Sequence, residues 1–208
     1  TGNSVSLNEK VVPTISSVSL NAANSELTVT FSESVYDTSG GSGDLEVADF
    51  ALSISGGAAT VTATPASIAK TSASVWVLGL TISGTATGSE TLSVVPAGAT
   101  SIYDVAGNAA STTQTGNSVS LNEKVVPTIS SVSIASNNST TTEGFAGDEV
   151  TLTFTADEPI GTPTVTFKSG GAAITDSSIS YANDSGNTWT ATYTVNASDT
   201  AGAVTYSI

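Results

Sequence analysis

The first nineteen residues of this chain, TGNSVSLNEKVVPTISSVS from Thr1 to Ser19, recur letter for letter from Thr115 to Ser133, 114 positions downstream. A perfect copy at that spacing marks a recent duplication and fixes the repeat before any other feature is weighed. The repeat also divides the 208 residues into two ordinary domains rather than one large one. The copied block is not itself a domain. It holds the end of one unit, a junction marked by Pro13 or Pro127, and the start of the next. The expected organisation is 1–11 as the end of a preceding repeat plus linker, 12–122 as a first domain, and 123–208 as a second. The second is expected to stop before its own closing strand.

Apolar residues alternate with Ser or Thr through most of the chain. Leu27, Val29 and Phe31 alternate with Thr28 and Thr30, and Val150, Leu152 and Phe154 with Thr151 and Thr153. Trp76, Leu78, Leu80 and Ile82 form one longer stripe, and Trp189, Ala191, Tyr193 and Val195 another. A period of two puts one face of a strand on a core and the other in water. Gly/Ser-rich breaks separate these runs: Asp37–Asp44, Gly56–Gly57, Gly170–Gly171 and Asp184–Asn187. Glycine accepts the positive φ of tight hairpin turns without strain. Short strands at this spacing, in units of about 100 residues, predict an all-β fold of two tandem immunoglobulin-like β-sandwiches. The predicted strands of the first domain include 59–64, 73–82 and 110–121.

Composition narrows the function. There is no Cys, His, Met or Arg, and the four Lys face eighteen Asp and Glu, for a net charge of −14. A surface without Arg cannot neutralise a run of phosphates, so nucleic acid and anionic lipid are poor partners. Without His or Cys there is no imidazole base, thiol nucleophile or soft-metal site. Ser67–Lys70 fits Ser-x-x-Lys, but the helix and companion motifs of that chemistry are missing, and no enzyme is expected. An acidic, thiol-free chain does suit a hard cation such as calcium, which takes carboxylate and carbonyl oxygens. No apolar run is long enough for a membrane helix.

The segments PTISSVS, VTFSESV, FALSISGG and IYDVAGNAA, with AGDEVTLTFTADEPI and NTWTATYTVNASDTAG in the second half, resemble the bacterial immunoglobulin-like tandem repeats of large cell-surface and adhesin proteins. The resemblance spans nearly the whole chain. It implies an exported, non-catalytic, multi-domain rod, often stiffened by calcium, that is secreted or held at the cell surface.

Asp104-Val-Ala-Gly-Asn108 is the sharpest motif. In a sandwich this loop shares an end with the loop holding Glu33, Asp37 and Asp44, and with the incoming linker Asn8–Pro13. Glu33, Asp104 and Asn108 are therefore candidate calcium ligands, with Asp37, Asp44 and Glu9 as further donors. The alternative is a tight turn, with Gly107 and Asn108 at positive φ and Asp104 accepting from local N–H groups. Asp157 and Glu158 are the matching candidates of the second domain.

Asp199–Tyr206 has the look of a structural corner between strands. Trp76 and Trp189 sit inside apolar stripes and are expected in the cores. Sequons at Asn138, Asn183 and Asn196 are no more than a Ser/Thr-rich composition produces.

Two other functions compete with a mechanical spacer. The first is a filament: Ser4, Val5 and Leu7 of one chain would complete the sheet carrying Val204, Tyr206 and Ile208 in the next. The second is a carbohydrate-binding module using Tyr36, Tyr103 and Tyr181. The expected partners are neighbouring repeats, and other copies if strands are exchanged.

Overall fold

The computed structural model describes residues 8–208. The fold is all-β, and the chain forms two compact units that part between Val125 and Val126. The candidate strand residues Ser4, Val5 and Leu7 lie outside the described residues.

The first unit contains β1 (Ile15–Leu20), β2 (Glu26–Phe31), β3 (Phe50–Ser55), β4 (Thr60–Val61), β5 (Ser67–Ser72), β6 (Val75–Gly79), β7 (Ile82–Ser83), β8 (Thr91–Pro96) and β9 (Ser118–Ser120). One sheet has the order β1-β2-β6-β5 and the other β3-β8-β9, with β4 and β7 as a small separate pair. All pairings are antiparallel. The alternation fixes which side faces in. Leu27, Val29, Trp76 and Leu78 of the first sheet meet Phe50, Leu52, Leu92 and Val94 of the second in a single core. The rings of Phe31 and Phe50 close it at 6.3 Å between centroids.

The second unit contains β10 (Ile129–Ser136), β11 (Glu149–Ala156), β12 (Thr166–Ser169), β13 (Ala172–Ala173), β14 (Ser180–Ser185), β15 (Thr188–Thr194) and β16 (Val204–Ser207). Its sheets run β10-β11-β15-β14 and β13-β12-β16. Leu152, Phe154, Trp189 and Tyr193 pack on Val165 and Phe167, and Phe167 and Tyr193 lie 4.8 Å apart. Both tryptophans are core residues, 2% and 9% exposed. In the first unit β8 lies between β3 and β9; in the second β16 pairs with β12 alone among the described residues.

The Ser67–Lys70 segment belongs to an edge strand, β5, of which only Ile68 packs on the core. Three expectations shift. The stripe from Trp76 to Ile82 is two strands, because the chain leaves β6 at Gly79 and Ile82 pairs with Val61. The strand expected over 110–121 is β9 alone, Ser118–Ser120. Gly170–Gly171 turns a true hairpin between β12 and β13. Gly56–Gly57 does not: β4 beyond it pairs with β7, and Gly57, at φ +55°, passes so close to Glu90 that a Cβ would meet its carboxylate.

Candidate metal centre

The Asp104–Asn108 loop closes on itself. The Asp104 N–H donates to the Asn108 carbonyl at 3.0 Å, and the Gly107 N–H to the Asp104 carbonyl at 3.3 Å. The Asn108 backbone N–H reaches Asp104 Oδ1 at 2.8 Å, and its side-chain Nδ2 reaches Asp104 Oδ2 at 2.7 Å. Gly107 takes φ +88°, with its Cα packed against the Ser39 carbonyl. Asn108 does not share the positive φ expected of it. The local-turn chemistry is therefore present, and it orients Asp104 towards its neighbours as well as closing the turn.

Asn108 also grips the incoming linker. Its Nδ2 lies 2.8 Å from Glu9 Oε2 and within 3.4 Å of the Glu9 and Val11 carbonyls. Glu9 accepts in turn from the Val11 N–H. Glu33, two residues beyond β2, completes the group: one carboxylate oxygen each from Glu9, Glu33 and Asp104 lie within 4.8 Å of one another. Asp104 is fully buried, Glu33 half-buried and Glu9 exposed.

Three acids this close disturb each other. Burial, then the charges of Asp104 and Glu9, push the Glu33 carboxyl above its ordinary range. Burial pushes Asp104 up too, but the Asn108 side-chain and backbone N–H donors outweigh it and hold Asp104 low. The ionised form of the group is thus fixed at Asp104 and costly at Glu33. A divalent cation would relieve that cost, and the donors present suit a hard one.

The Asp37–Asp44 loop reaches this place without bringing its acids. A Cβ on Gly41 would sit 2.9 Å from Val105 Cα, so the loop's backbone packs on the Asp104 loop. Asp44 instead forms an ion pair with Lys70, which stacks 5.3 Å from the Trp76 ring. Asp37 packs beside Gly43 and adds its charge to the field at Asp49. Neither belongs to the three-carboxylate group.

In the second unit Asp157 uses both oxygens on one residue. The Thr128 N–H donates to Oδ1 at 2.8 Å and its hydroxyl to Oδ2 at 2.7 Å, and these bonds hold Asp157 below the usual carboxylate range. Glu158 is half-buried and holds, by strand register, the place of Glu33. Tyr36 and Tyr103 are backbone partners, exchanging N–H···O bonds of 2.8 and 2.9 Å. The Tyr181 hydroxyl instead accepts from the Val165 N–H at 3.1 Å, at the edge of the second core. Tyr36 and Tyr103 thus stand opposite each other in the first unit, and Tyr181 belongs to the second. Tyr206 stays 41% exposed, so Asp199 forms the corner without it, accepting from the Thr175 and Asn196 N–H groups at 2.7 and 2.9 Å.

Two buried polar residues give no sequence signal. Glu90 is fully buried, and its carboxylate accepts from the N–H groups of Ala58, Ala59 and Thr87 at 2.9, 3.2 and 2.9 Å. Burial raises its pKa, yet those donors win and hold it at about 2. Asn24, the one non-glycine residue at positive φ among those described (+59°), bonds Asn122 three times at 2.7–2.9 Å. Comparison with family models, with curated proteins and with solved structures finds no match for this chain.

Proposed function

We propose that this chain is a mechanical, non-catalytic stretch of a long extracellular surface protein, and that calcium stiffens its junctions. The observation that carries this reading is the convergence of Glu9, from the linker, with Glu33 and Asp104, from two loops of the sandwich. A cation held by these three would tie the incoming linker to the first unit. The Glu9 and Val11 carbonyls, already close to Asn108, add neutral oxygens to the set. With the ion in place, the Asn108 amide would turn its oxygen inward, since its two ends are nearly isosteric. Strand faces rich in Ser and Thr, with few charges, suit a stalk that does not stick.

Calcium titration followed by thermal melting and by a lysine-specific protease tests the reading. Lys10 is exposed and sits between Glu9 and Val11. A ligand that binds only the folded state raises its melting temperature, by roughly 10 °C at a hundredfold excess over Kd for a unit of this size. Millimolar calcium should raise the first unit's melting temperature and slow cleavage after Lys10, and Asp104→Asn should remove both effects. No shift and no protection at about 10 mM calcium, above the Kd of extracellular calcium modules, would sink the calcium reading.

A further inference from the structure

In the first unit the entering strand β1 and the departing strand β9 lie side by side, yet they belong to different sheets. Side chains join them instead. Where β1 begins, the Ile15 N–H donates to Gln114 Oε1 at 2.8 Å, and a Cβ on Gly116 would come within 3.3 Å of the Ser16 carbonyl. Where β1 ends, its hairpin to β2 holds Asn122, just past β9. Asn24 Nδ2 donates to the Asn122 carbonyl at 2.7 Å, and the Asn122 N–H and Nδ2 both reach Asn24 Oδ1 at 2.9 Å. Asn122 Nδ2 also reaches the Asn21 carbonyl at 3.0 Å.

These contacts fix a direction. Residues 114–116 precede β9 and meet the start of β1, whereas Asn122 follows β9 and meets the turn after β1, so the two strands run parallel. The chain therefore enters the unit at one end and leaves it at the other. Tension applied at Pro13 and at Glu123 slides β1 and β9 past each other along their length. Bonds across a sliding contact stretch together and must yield together, whereas a peeled pair of strands gives way one bond at a time.

Asn24 is specialised for this contact. The hairpin is closed by Asn21, whose Oδ1 accepts from the Ser25 and Glu26 N–H groups at 2.9 and 3.2 Å. The Asn24 amide is left for Asn122, 98 positions away in the chain. At 4% exposure Asn24 is also shielded from water that could replace its bonds as they stretch. Beside it the Leu121 N–H donates to the Glu90 carbonyl at 3.0 Å and the Lys124 N–H to the Ala86 carbonyl at 2.8 Å. We infer that the first unit is a directional lock, in which the Asn24–Asn122 and Gln114–Ile15 bonds carry tension between the entering and the departing chain. The inference rests on the reading of this chain as a mechanical stretch and names the path that tension takes through it.

Single-molecule pulling on the intact chain tests it, with a chelator present so that no cation contributes. The chain has no cysteine, so Lys10→Cys with Lys124→Cys places handles on both sides of the first unit. Lys10→Cys with Ser34→Cys instead peels β1 from β2, since both handles lie at the same end of that antiparallel pair. The sliding pair should rupture at several times the force of the peeling pair. Asn24→Gly should speed rupture of the sliding pair at fixed load by about tenfold, from the loss of one or two net hydrogen bonds. It should leave the peeling pair within about twofold, because the far end of β1 is still in place when peeling starts. Gln114→Ala should act in the same direction and less. Ile54→Val, on β3, lowers stability without touching β1 or β9 and serves as the control. If the parent chain is no stronger in sliding than in peeling, the mechanical reading itself is overturned. If it is stronger but indifferent to Asn24→Gly and Gln114→Ala, the lock is overturned and the mechanical reading stands. If Ile54→Val speeds sliding as much as Asn24→Gly does, the effect is one of overall stability, and the lock is again overturned.

Discussion

Ile15–Ser19 and Ile129–Ser133 are the same five residues in two surroundings. Both form the first strand of a sandwich, and both carry the same register shift after the isoleucine. In both, the next serine hydroxyl donates to a threonine carbonyl at 3.0 Å, Ser16 to Thr30 and Ser130 to Thr155. Burial differs completely. Ile15 is 2% exposed and Ile129 41%; Pro13 is buried and Pro127 exposed. In the first unit Gln114 accepts the Ile15 N–H at 2.8 Å and β9 lies beside the strand. The five residues therefore encode their own backbone path, bulge included. Whether their apolar side chains contribute to stability is decided by a segment some hundred residues away.

The largest effect that could break this comparison comes from the isoleucines. Ile15→Ala removes a buried side chain and leaves a cavity, and should cost the first unit about 2–5 kcal/mol. Ile129→Ala removes a half-exposed one and should cost the second unit less than about 1 kcal/mol. Hydrogen exchange in β2 and β11 reads the two units separately. Equal losses would mean that Ile129 is covered in solution.

The next effect separates the units by acid. Glu90 has a folded pKa of about 2 against an ordinary value of 4.5. Its ionised form is preferred by the fold, so its contribution is full above pH 4.5 and disappears as pH falls from 4.5 towards 2. Among its described residues the second unit has no Asp or Glu buried as Glu90 is. Its lowered acids, Asp148, Asp157, Asp176 and Asp199, start from 3.8. Melting at stepped pH should show the first unit weakening near pH 4.5 and the second only nearer 3.8. In Glu90→Gln the first unit should be weaker at about pH 7, because an amide N–H₂ would face N–H donors. Its loss of stability between pH 4.5 and 3.8 should flatten. An unchanged acid profile in that variant would remove Glu90 as the cause.

Most of the fold is legible because half-buried strands write a period of two. Glu26–Phe31 and Glu149–Ala156 show it without interruption. β5 does not, since an edge strand with one partly buried residue in six imposes no pattern. The metal candidate is legible in part: Asp104, Asn108 and Glu33 follow from loop chemistry and sandwich connectivity. That Asp37 and Asp44 drop out follows from side-chain direction and from Lys70, neither of which has a sequence signature. Glu90 is silent for another reason. Its donors come from Ala58, Ala59 and Thr87, and alanine N–H groups announce nothing in a sequence.

Asn24 sharpens the comparison at the other end of the first unit. The hairpin between β1 and β2 is short, and Asn24 uses it to hold Asn122 in the departing chain. The longer connection between β10 and β11 instead lines a cleft in the second unit, through residues 141–146. Asn24→Gly keeps the positive φ and deletes only the bonds. It should cost the first unit about 1–2 kcal/mol, since the exposed Asn122 groups can turn to water. The Asn122 amide should exchange faster. If Asn24→Ala costs no more than Asn24→Gly, the left-handed backbone at this position carries no weight.

The smallest effect lies where the linkers join the two units. Ser32 and Asp157 occupy the same register position, one residue past Phe31 and Ala156. Ser32 accepts a single bond from the Thr14 N–H at 3.0 Å, whereas Asp157 accepts two from Thr128. Asp157→Ser should make the second junction resemble the first. The exposed pair is screened by solvent, so the loss is a slight drop in the second unit's melting temperature at neutral pH. The informative readout is its pH dependence. Asp157 is held below 3.8 by Thr128, so its contribution is present above that value and lost below it. In the serine variant the difference from the parent chain should vanish as pH falls below 3.8. A difference that persists in acid would assign the effect to packing of the linker, and the carboxylate would then not be what distinguishes the two junctions.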